Sequence, residues 1–226
     1  STPIKSSAAS DVYKRQADLR VEKLLQKMAE KGVEVIFILS AFDSVPYRTL
    51  IGTDSYQCGR STGEAVREAL GADGAVGIIK WKDNLIETVE DRYHGVVDVL
   101  KENRIPYYDM TGPGEPTAEE ATKLTDRLLT EHPDISVLCA TNVGWGLAFA
   151  RYLKSKGKKV KLVTVDFTDE VGEFMKAGYV DAAIAQRPES WGSMTLEKIE
   201  AVFEGQSIPK TIDTGTYPVT PANIRI

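Results

Sequence analysis

Polar side chains follow several apolar, strand-like segments of this sequence. The segment LVTVD (162–166) is mostly apolar but stops on the carboxylate of Asp166. Asn142 and Gln186 follow two other such segments, and Trp81 lies just beyond a fourth. An aspartate in that place could be a catalytic base, a metal ligand, a ribose-binding acid of a dinucleotide site, or an acceptor for ligand hydroxyl groups. It could also do no more than cap the local turn.

The composition argues against several kinds of partner, namely nucleic acids, membranes and metal ions. The 226 residues carry a formal net charge of −5 and have no basic cluster, which argues against binding to nucleic acid or to an anionic membrane surface. The cysteines, Cys58 and Cys139, are far apart, and the histidines, His94 and His132, do not have a metal-binding spacing. No apolar run is long enough to span a bilayer. We therefore expect neither a metal ion nor a cofactor.

A dinucleotide site and a catalytic site are only weakly indicated. The segment TNVGWGLAFA (141–150) follows an apolar segment, and Asp166 comes at the distance expected of a ribose-binding acid. Phe149, however, stands where the glycine-rich fingerprint requires a small residue. No G-x-S-x-G nucleophile motif occurs, and neither histidine lies near the end of a predicted strand. A dinucleotide-dependent enzyme is therefore the least favoured hypothesis.

The spacing of apolar residues predicts alternating strands and helices after residue 16. Val21, Leu24, Leu25 and Met28 have the period of an amphipathic helix, and TAEE (117–120) is a helix-capping box. The predicted strands are 33–39, 75–79, 105–108, 135–139, 160–165 and 181–185, with a last extended stretch at 211–219. The predicted helices are one that closes at Gly32 and those over 54–70, 86–100, 117–131, 144–156, 168–177 and 189–204.

Such alternation predicts an α/β fold with parallel sheets, in which ligands bind outside the carboxyl ends of the strands. Asp166 would accept hydrogen bonds there, the amides of Asn142 and Gln186 would donate and accept, Arg92 would donate, and the ring of Trp81 could stack on a sugar. Each residue also has an ordinary structural interpretation: a helix N-cap for Asn142, a loop amide for Gln186, a solvated helix arginine for Arg92 and a surface anchor for Trp81. Four polar groups on one rim favour a ligand site.

Five segments resemble the ribose-type family of periplasmic binding proteins, the sugar-binding components of ABC transporters. They are IGTDSYQCGRSTGE (51–64), EDRYHGV (90–96), HPDISVLCATN (132–142), LVTVDFTDE (162–170) and DAAIAQRPESWG (181–192). The resemblance implies a periplasmic-binding-protein-like type I fold. Two Rossmann-like lobes with parallel sheets would be joined by a three-strand hinge, with crossings near 51–54, 186–188 and 210–213, and would close on a sugar in the cleft between them.

The resemblance also implies roles for particular residues. Arg92 matches the arginine that holds ring or anomeric oxygens, and Asn142, Asp166 and Gln186 match ligand-binding positions of the family. The sequence departs from the family pattern in three places. Val143 replaces an aspartate, Pro116 stands where a ring-stacking aromatic is expected, and Leu39 stands where the first lobe has a strand-end aspartate. Asp43 could take that last role only with a local insertion.

The expected domain organisation follows from the same comparison. Residues 1–16 have no apolar period and include DVYKRQ, which a transposon mosaic-end sequence would encode, so we expect a non-native or disordered leader. Residues 17–51 and 187–210 would form part of an N-terminal lobe, 52–186 a C-terminal lobe, and 211–226 a C-terminal crossing strand. The first strands of the family have no counterpart here. We therefore expect an incomplete first lobe, weak sugar binding by residues 1–226 and non-cooperative melting.

The leading hypothesis is a protein that binds a monosaccharide or related polyol for an ABC-type importer, with a membrane permease or a membrane sensor as its partner. It would be periplasmic, or extracellular and lipid-anchored. The alternative is the effector-binding domain of a sugar-responsive transcription regulator of the same fold, which would be cytoplasmic. Lys80 and Lys82, on either side of Trp81, leave open a sugar acid or a phosphorylated sugar as the ligand.

Overall fold

The computed structural model describes residues 19–71, 73–81 and 87–224. The expected leader, 1–16, and Lys82 lie outside the described residues. In chain order the elements are α1 (Leu19–Glu30), β1 (Ile36–Ile38), β2 (Thr49–Gly52), α2 (Ser55–Leu70), β3 (Ala75–Trp81), α3 (Glu87–Glu102), β4 (Tyr107–Gly112), α4 (Ala118–Glu131), β5 (Ile135–Ala140), α5 (Val143–Lys156), β6 (Lys161–Val165), α6 (Asp169–Lys176), β7 (Ala182–Ala185), α7 (Pro188–Phe203), β8 (Thr211–Asp213) and β9 (Tyr217–Val219).

The chain divides into two compact units. The first runs up to Thr53 and includes Arg187–Thr214, and the second consists of Asp54–Gln186 and Gly215–Ile226. These boundaries differ by a few residues from the expected lobe ranges, because β2 and β8 pair in the first unit as far as Gly52 and Asp213. The last extended stretch, predicted over 211–219, is divided between the units as β8 and β9.

The second unit is built on a six-stranded sheet in the order β4-β3-β5-β6-β7-β9. Its strands are parallel except for β9, which runs antiparallel to β7. Alternate residues of the central strands belong to different hydrophobic clusters, Leu138 to one and Cys139 to the other, so both faces of the sheet are buried. Helices α2 and α3 cover one face, and α4, α5 and α6 cover the other.

The first unit has a smaller sheet, the parallel strands β1-β2-β8, with β1 at an edge. Strand β1 covers three residues instead of the predicted 33–39, because its pairing with β2 begins only at Ile36. Helices α1 and α7 also belong to this unit, and none of the sixteen residues of α7 is buried. No helix of the described part of the chain is long and apolar enough to cross a membrane.

Two strands extend beyond their predicted carboxyl ends. Strand β3 was predicted over 75–79 but continues to Trp81. Strand β4 was predicted to end at Tyr108, which would leave Asp109 at its carboxyl end. The strand instead continues to Gly112, because its pairing with β3 extends as far as Trp81. Asp109 therefore lies inside β4, where its carboxylate accepts a hydrogen bond from the hydroxyl of Tyr93.

Candidate ligand-binding site

Four of the predicted site residues stand at one edge of the six-stranded sheet. Strands β3, β5, β6 and β7 are consecutive neighbours in the sheet and run parallel, so their carboxyl ends lie at the same edge. Trp81 ends β3, and Asn142, Asp166 and Gln186 follow β5, β6 and β7. The strand order therefore brings together residues that are up to 105 positions apart in the sequence.

Arg92 joins this edge from helix α3. Its Nη1 donates a long hydrogen bond, 3.4 Å, to the carbonyl oxygen of Thr141, the residue before Asn142. The arginine is only 3% exposed, yet its Nε and Nη2 atoms are buried and have no hydrogen-bond partner. A buried cation without compensating bonds is costly, so these donors point to a partner outside the protein. The alternative interpretation, a solvated helix arginine, does not fit this burial.

Two glycines allow α2 and α3 to pack closely enough to hold Arg92. A Cβ atom on Gly59 would lie 2.1 Å from the backbone oxygen of Arg92, and one on Gly95 would lie 2.3 Å from the backbone oxygen of Tyr56. Any larger side chain at either position would push the helices apart. The sequence contains these glycines, but no sequence pattern showed that they determine the position of the arginine.

Asn142 caps a helix with the oxygen of its side-chain amide. Its Oδ1 accepts a hydrogen bond from the backbone N–H of Trp145, 3.0 Å, and so caps α5. Its Nδ2 is buried and has no partner. The capping interpretation is therefore confirmed, and a donor remains for a ligand.

Asp166 and Gln186 form a hydrogen-bonded pair. Nε2 of Gln186 donates to Oδ1 of Asp166 over 2.5 Å, while Oε1 of Gln186 is buried without a partner. Asp166 has a left-handed backbone with φ of 68°, and its N–H donates to the carbonyl of Ile184 over 2.9 Å. Aspartate tolerates this conformation better than most residues. The bond to Gln186 holds the carboxylate of Asp166 in this orientation.

Trp81 is half-buried at the end of β3. A Cβ on Gly114 would lie 3.2 Å from its Cε3 atom, so the indole ring lies against the backbone of that glycine. The indole Nε1 is buried and has no partner. Stacking of this ring on a sugar stays a prediction, and the unpartnered N–H adds a donor to the set.

Asp43 does not occupy a strand end. It lies in an exposed turn of the first unit, beyond the end of β1. The residue that follows β1 is Leu39, with φ of 73° and an N–H that donates to the carbonyl of Ile51 over 2.8 Å. Asp166 has the same conformation and the same kind of backbone bond, so Leu39 is its counterpart in the first unit. A ligand role for Asp43 stays a prediction without this geometric support.

The ammonium group of Lys80 already interacts with other side chains of the protein. Its Nζ forms an ion pair with Glu90 over 2.8 Å and lies 4.7 Å from the centre of the Tyr93 ring. Its charge is therefore already compensated. Among the residues that the structure describes, no group of three or more His, Cys, Asp or Glu side chains could hold a metal ion.

Burial also raises the pKa values of the two residues next to Arg92 in the sequence, Asp91 and Tyr93. Desolvation raises the pKa of Asp91, the negative charges of Asp54 and Glu90 raise it further, and His94 opposes them. Desolvation, followed by the hydrogen bond to Asp109, holds the pKa of Tyr93 well above its usual range. The phenol of Tyr93 is therefore un-ionised at neutral pH and remains a hydrogen-bond donor to Asp109.

Known proteins share this fold and much of the sequence pattern. The family model described as a periplasmic binding protein domain matches residues 20–207. The ribose import binding protein RbsB of Bacillus subtilis is 23% identical over 188 residues, which make up 80% of this chain and 58% of that protein. RbsB of Haemophilus influenzae is 25% identical, and the match covers 55% of its length. The chain thus spans a little over half the length of these relatives.

Solved structures of sugar-binding transport proteins have a similar fold. A carbohydrate transporter solute-binding protein of Agrobacterium radiobacter, solved with D-arabinose, is 25% identical, with a TM-score of 0.75 over 87% of this chain and 69% of its own. A solute-binding protein of Burkholderia graminis, also solved with D-arabinose, is 23% identical, with a TM-score of 0.78 over 95% of this chain and 79% of its own. The chain belongs to the ribose-type family of periplasmic binding proteins and has their type I fold.

Proposed function

We propose that this protein binds a monosaccharide or a related polyol at the rim formed by Arg92, Asn142, Asp166 and Gln186. The observation that supports it most directly is Arg92, a buried guanidinium with two unpartnered nitrogens beside the strand ends. Native proteins rarely leave such groups unsatisfied, and a ligand oxygen would satisfy them.

The chemistry of the rim suits vicinal hydroxyl groups, which donate and accept at once. Arg92 and Asn142 offer donors, Gln186 offers the acceptor Oε1, and the carboxylate of Asp166 accepts. Bonds to the charged carboxylate and guanidinium are the stronger ones. Because Gln186 already holds Asp166, little ordering entropy is lost when a ligand binds.

An uncharged ligand fits the charges better than a sugar acid or a phosphorylated sugar. Arg92 contributes one positive charge to the rim and Asp166 one negative charge, and Lys80 is paired with Glu90. The charges of Arg92 and Asp166 cancel, so the rim has no net positive charge that would favour an anionic substituent. We therefore favour neutral sugars and polyols.

The matched relatives suggest the physiological setting. They are named as ribose import binding proteins and transporter solute-binding proteins. By analogy, this protein would be the solute-binding component of an ABC-type importer, delivering the sugar to a membrane permease or a sensor, in the periplasm or outside the cell. In this role it binds and releases its ligand without chemical change.

The test is isothermal titration calorimetry with D-ribose, D-arabinose and D-tagatose. It uses the full-length protein, which here means residues 1–226 together with any segments that flank them in the natural chain. Asp166→Ala should weaken binding of the best ligand by at least about 2 kcal/mol, because it removes a charged acceptor and also the partner of Gln186. The matched control, Asp73→Ala, changes an exposed aspartate of the same unit and should leave affinity unchanged. Equal affinities of Asp166→Ala and the unaltered protein would refute the assignment of the site.

A further inference from the structure

Two buried hydroxyl groups, one on α2 and one on α3, have no role in the site described so far. Ser55 is 7% exposed and Thr88 is 8% exposed, and the oxygen atoms Oγ of Ser55 and Oγ1 of Thr88 are buried without a hydrogen-bond partner. Neither residue stood out in the sequence, because serine and threonine near the start of a helix are common. Unsatisfied hydroxyls in the interior are unfavourable, so a partner is expected from elsewhere.

The packing of α2 on α3 places both hydroxyls at the same end of the contact between these helices. Gly59 faces the backbone of Arg92, and one turn further along α2 Gly63 faces Val96 and Val99. The contacts therefore advance in the same direction along the two helices. One turn before the contact of Gly59 with Arg92 stand Ser55 on α2 and Thr88 on α3.

Thr88 also shares a helix face with Arg92. Residues four apart on a helix are neighbours, with Cβ atoms about 5–6 Å apart. Helix α3 follows β3, whose carboxyl end lies at the same edge of the sheet as the rim, and Arg92 reaches the carbonyl of Thr141 just after β5. The helix register thus places the two unpartnered hydroxyls at the end of the α2–α3 contact that also holds Arg92, whose Nε and Nη2 are likewise unpartnered.

We propose that Ser55 and Thr88 form, with Arg92, a polar subsite that takes one hydroxyl group of the ligand and helps to select among sugars. The inference rests on the proposed function of the rim. Arg92 only donates, whereas the two side-chain hydroxyls donate and accept, so a ligand hydroxyl can satisfy all three. A sugar that lacks the hydroxyl would leave these atoms unsatisfied, which makes the subsite selective. An ordered water molecule is the competing occupant.

The test compares Thr88→Val, which keeps the shape but removes the hydroxyl, with Thr88→Ser, which retains it. Titration of the full-length protein with D-ribose, D-arabinose, D-tagatose and their monodeoxy analogues should show at least about tenfold weaker binding of the best sugar to Thr88→Val. Thr88→Ser should bind nearly as the unaltered protein does. One deoxy analogue should bind Thr88→Val and the unaltered protein equally, because neither complex contains that hydrogen bond.

Stability measurements separate this role from a structural one. Thr88→Val removes an unsatisfied buried hydroxyl, so its melting temperature should be unchanged or higher while its affinity falls. Thr122→Val, on the exposed face of α4, is the matched control and should leave affinity unchanged. If Thr88→Val does not fold, Ser55→Ala and Thr88→Ala provide the same comparison.

The outcomes distinguish the subsite from the rim. If Thr88→Val and Ser55→Ala bind every sugar as the unaltered protein does, while Asp166→Ala loses affinity, then water occupies the subsite and the inference is wrong, but the proposed function stands. If the unaltered full-length protein binds no sugar of the panel, both proposals are overturned.

Discussion

At the scale of single residues, the amides of Asn142 and Gln186 each use one end for the protein and leave the other free. Oδ1 of Asn142 caps α5 while Nδ2 is unpartnered, and Nε2 of Gln186 holds Asp166 while Oε1 is unpartnered. The structural and the ligand-binding interpretations of these residues are therefore compatible. An amide suits this double use because its donor and its acceptor are separate atoms.

Asp91 gives a prediction about pH dependence. Partial burial is the largest cause that raises the pKa of its carboxyl group. The folded protein therefore binds the carboxyl proton more tightly than the unfolded chain does. The ionised carboxylate therefore destabilises the fold at neutral pH, and this cost disappears as the pH falls below the ordinary value of 3.8. Asp91→Asn should raise the melting temperature by a few degrees at most near neutral pH and by less near about pH 4.

Thermal melts of the full-length protein at several pH values check this prediction. Asp73→Asn alters an exposed aspartate before β3 and serves as the matched control, with no change expected at any pH. A melting temperature that Asp91→Asn lowers at neutral pH would show that the carboxylate stabilises the fold, contrary to its burial.

At the scale of elements, the site depends on two kinds of packing. Parallel neighbours β3, β5, β6 and β7 bring four chain segments to one edge, and the glycine contact between α2 and α3 places Arg92 beside them. The first follows from the strand order. The second depends on the absence of a Cβ atom at Gly59 and Gly95, where backbone meets backbone.

Gly59→Ala should therefore affect both stability and binding. Its methyl group would overlap the backbone of Arg92, which should cost about 1–3 kcal/mol of unfolding free energy and weaken sugar binding by displacing the guanidinium. Gly192→Ala is the matched control, because Gly192 lies in helix α7 with no atom within 4 Å of the added Cβ. That variant should be about 0.5–1 kcal/mol more stable than the unaltered protein.

Urea denaturation and sugar titration of the two variants check this pair of expectations. Unchanged stability of Gly59→Ala would mean that α2 and α3 can separate without cost, and the explanation for the position of Arg92 would then be wrong.

At the scale of the whole molecule, the two units have unequal cores. Every residue of the three hydrophobic clusters found in the described part of the chain belongs to the second unit. Among the residues that the structure describes, the exposed large apolar side chains all belong to the first unit: Leu24, Met28, Val33, Ile38, Leu196 and Phe203. The second unit therefore buries far more apolar surface and should be the more stable one.

Hydrogen exchange of residues 1–226 should show this difference. Amides of β1 and β2 should exchange at least about tenfold faster than those of β5 and β6, and a thermal melt should have more than one transition. Uniform protection in both sheets, with a single sharp melt, would contradict the prediction. It would show that the first unit is stabilised by contacts other than a hydrophobic core of its own.

Much of this fold could be predicted because its signals are local. The 3.6-residue period predicted the helices, Asp54 and Thr117 predicted helix starts that the structure confirms, and the motifs predicted the family. The chemistry of the rim was also predictable, since Arg92, Asn142, Asp166 and Gln186 carry it in their side chains. Boundaries that depend on pairing, such as the ends of β1 and β4, were less accurate because the neighbouring strand decides them.

The sequence by itself thus determined the order of most elements, the family and the strand-end positions of Asn142, Asp166 and Gln186. The tertiary structure alone decided which strands are neighbours, and that Arg92, Ser55 and Thr88 are buried with unpartnered polar atoms. It also decided that Leu39, which the sequence comparison already placed at the end of β1, has a left-handed backbone there. The physical reason is that burial, hydrogen-bond satisfaction and backbone strain are properties of the surroundings, and residues distant in the sequence supply those surroundings.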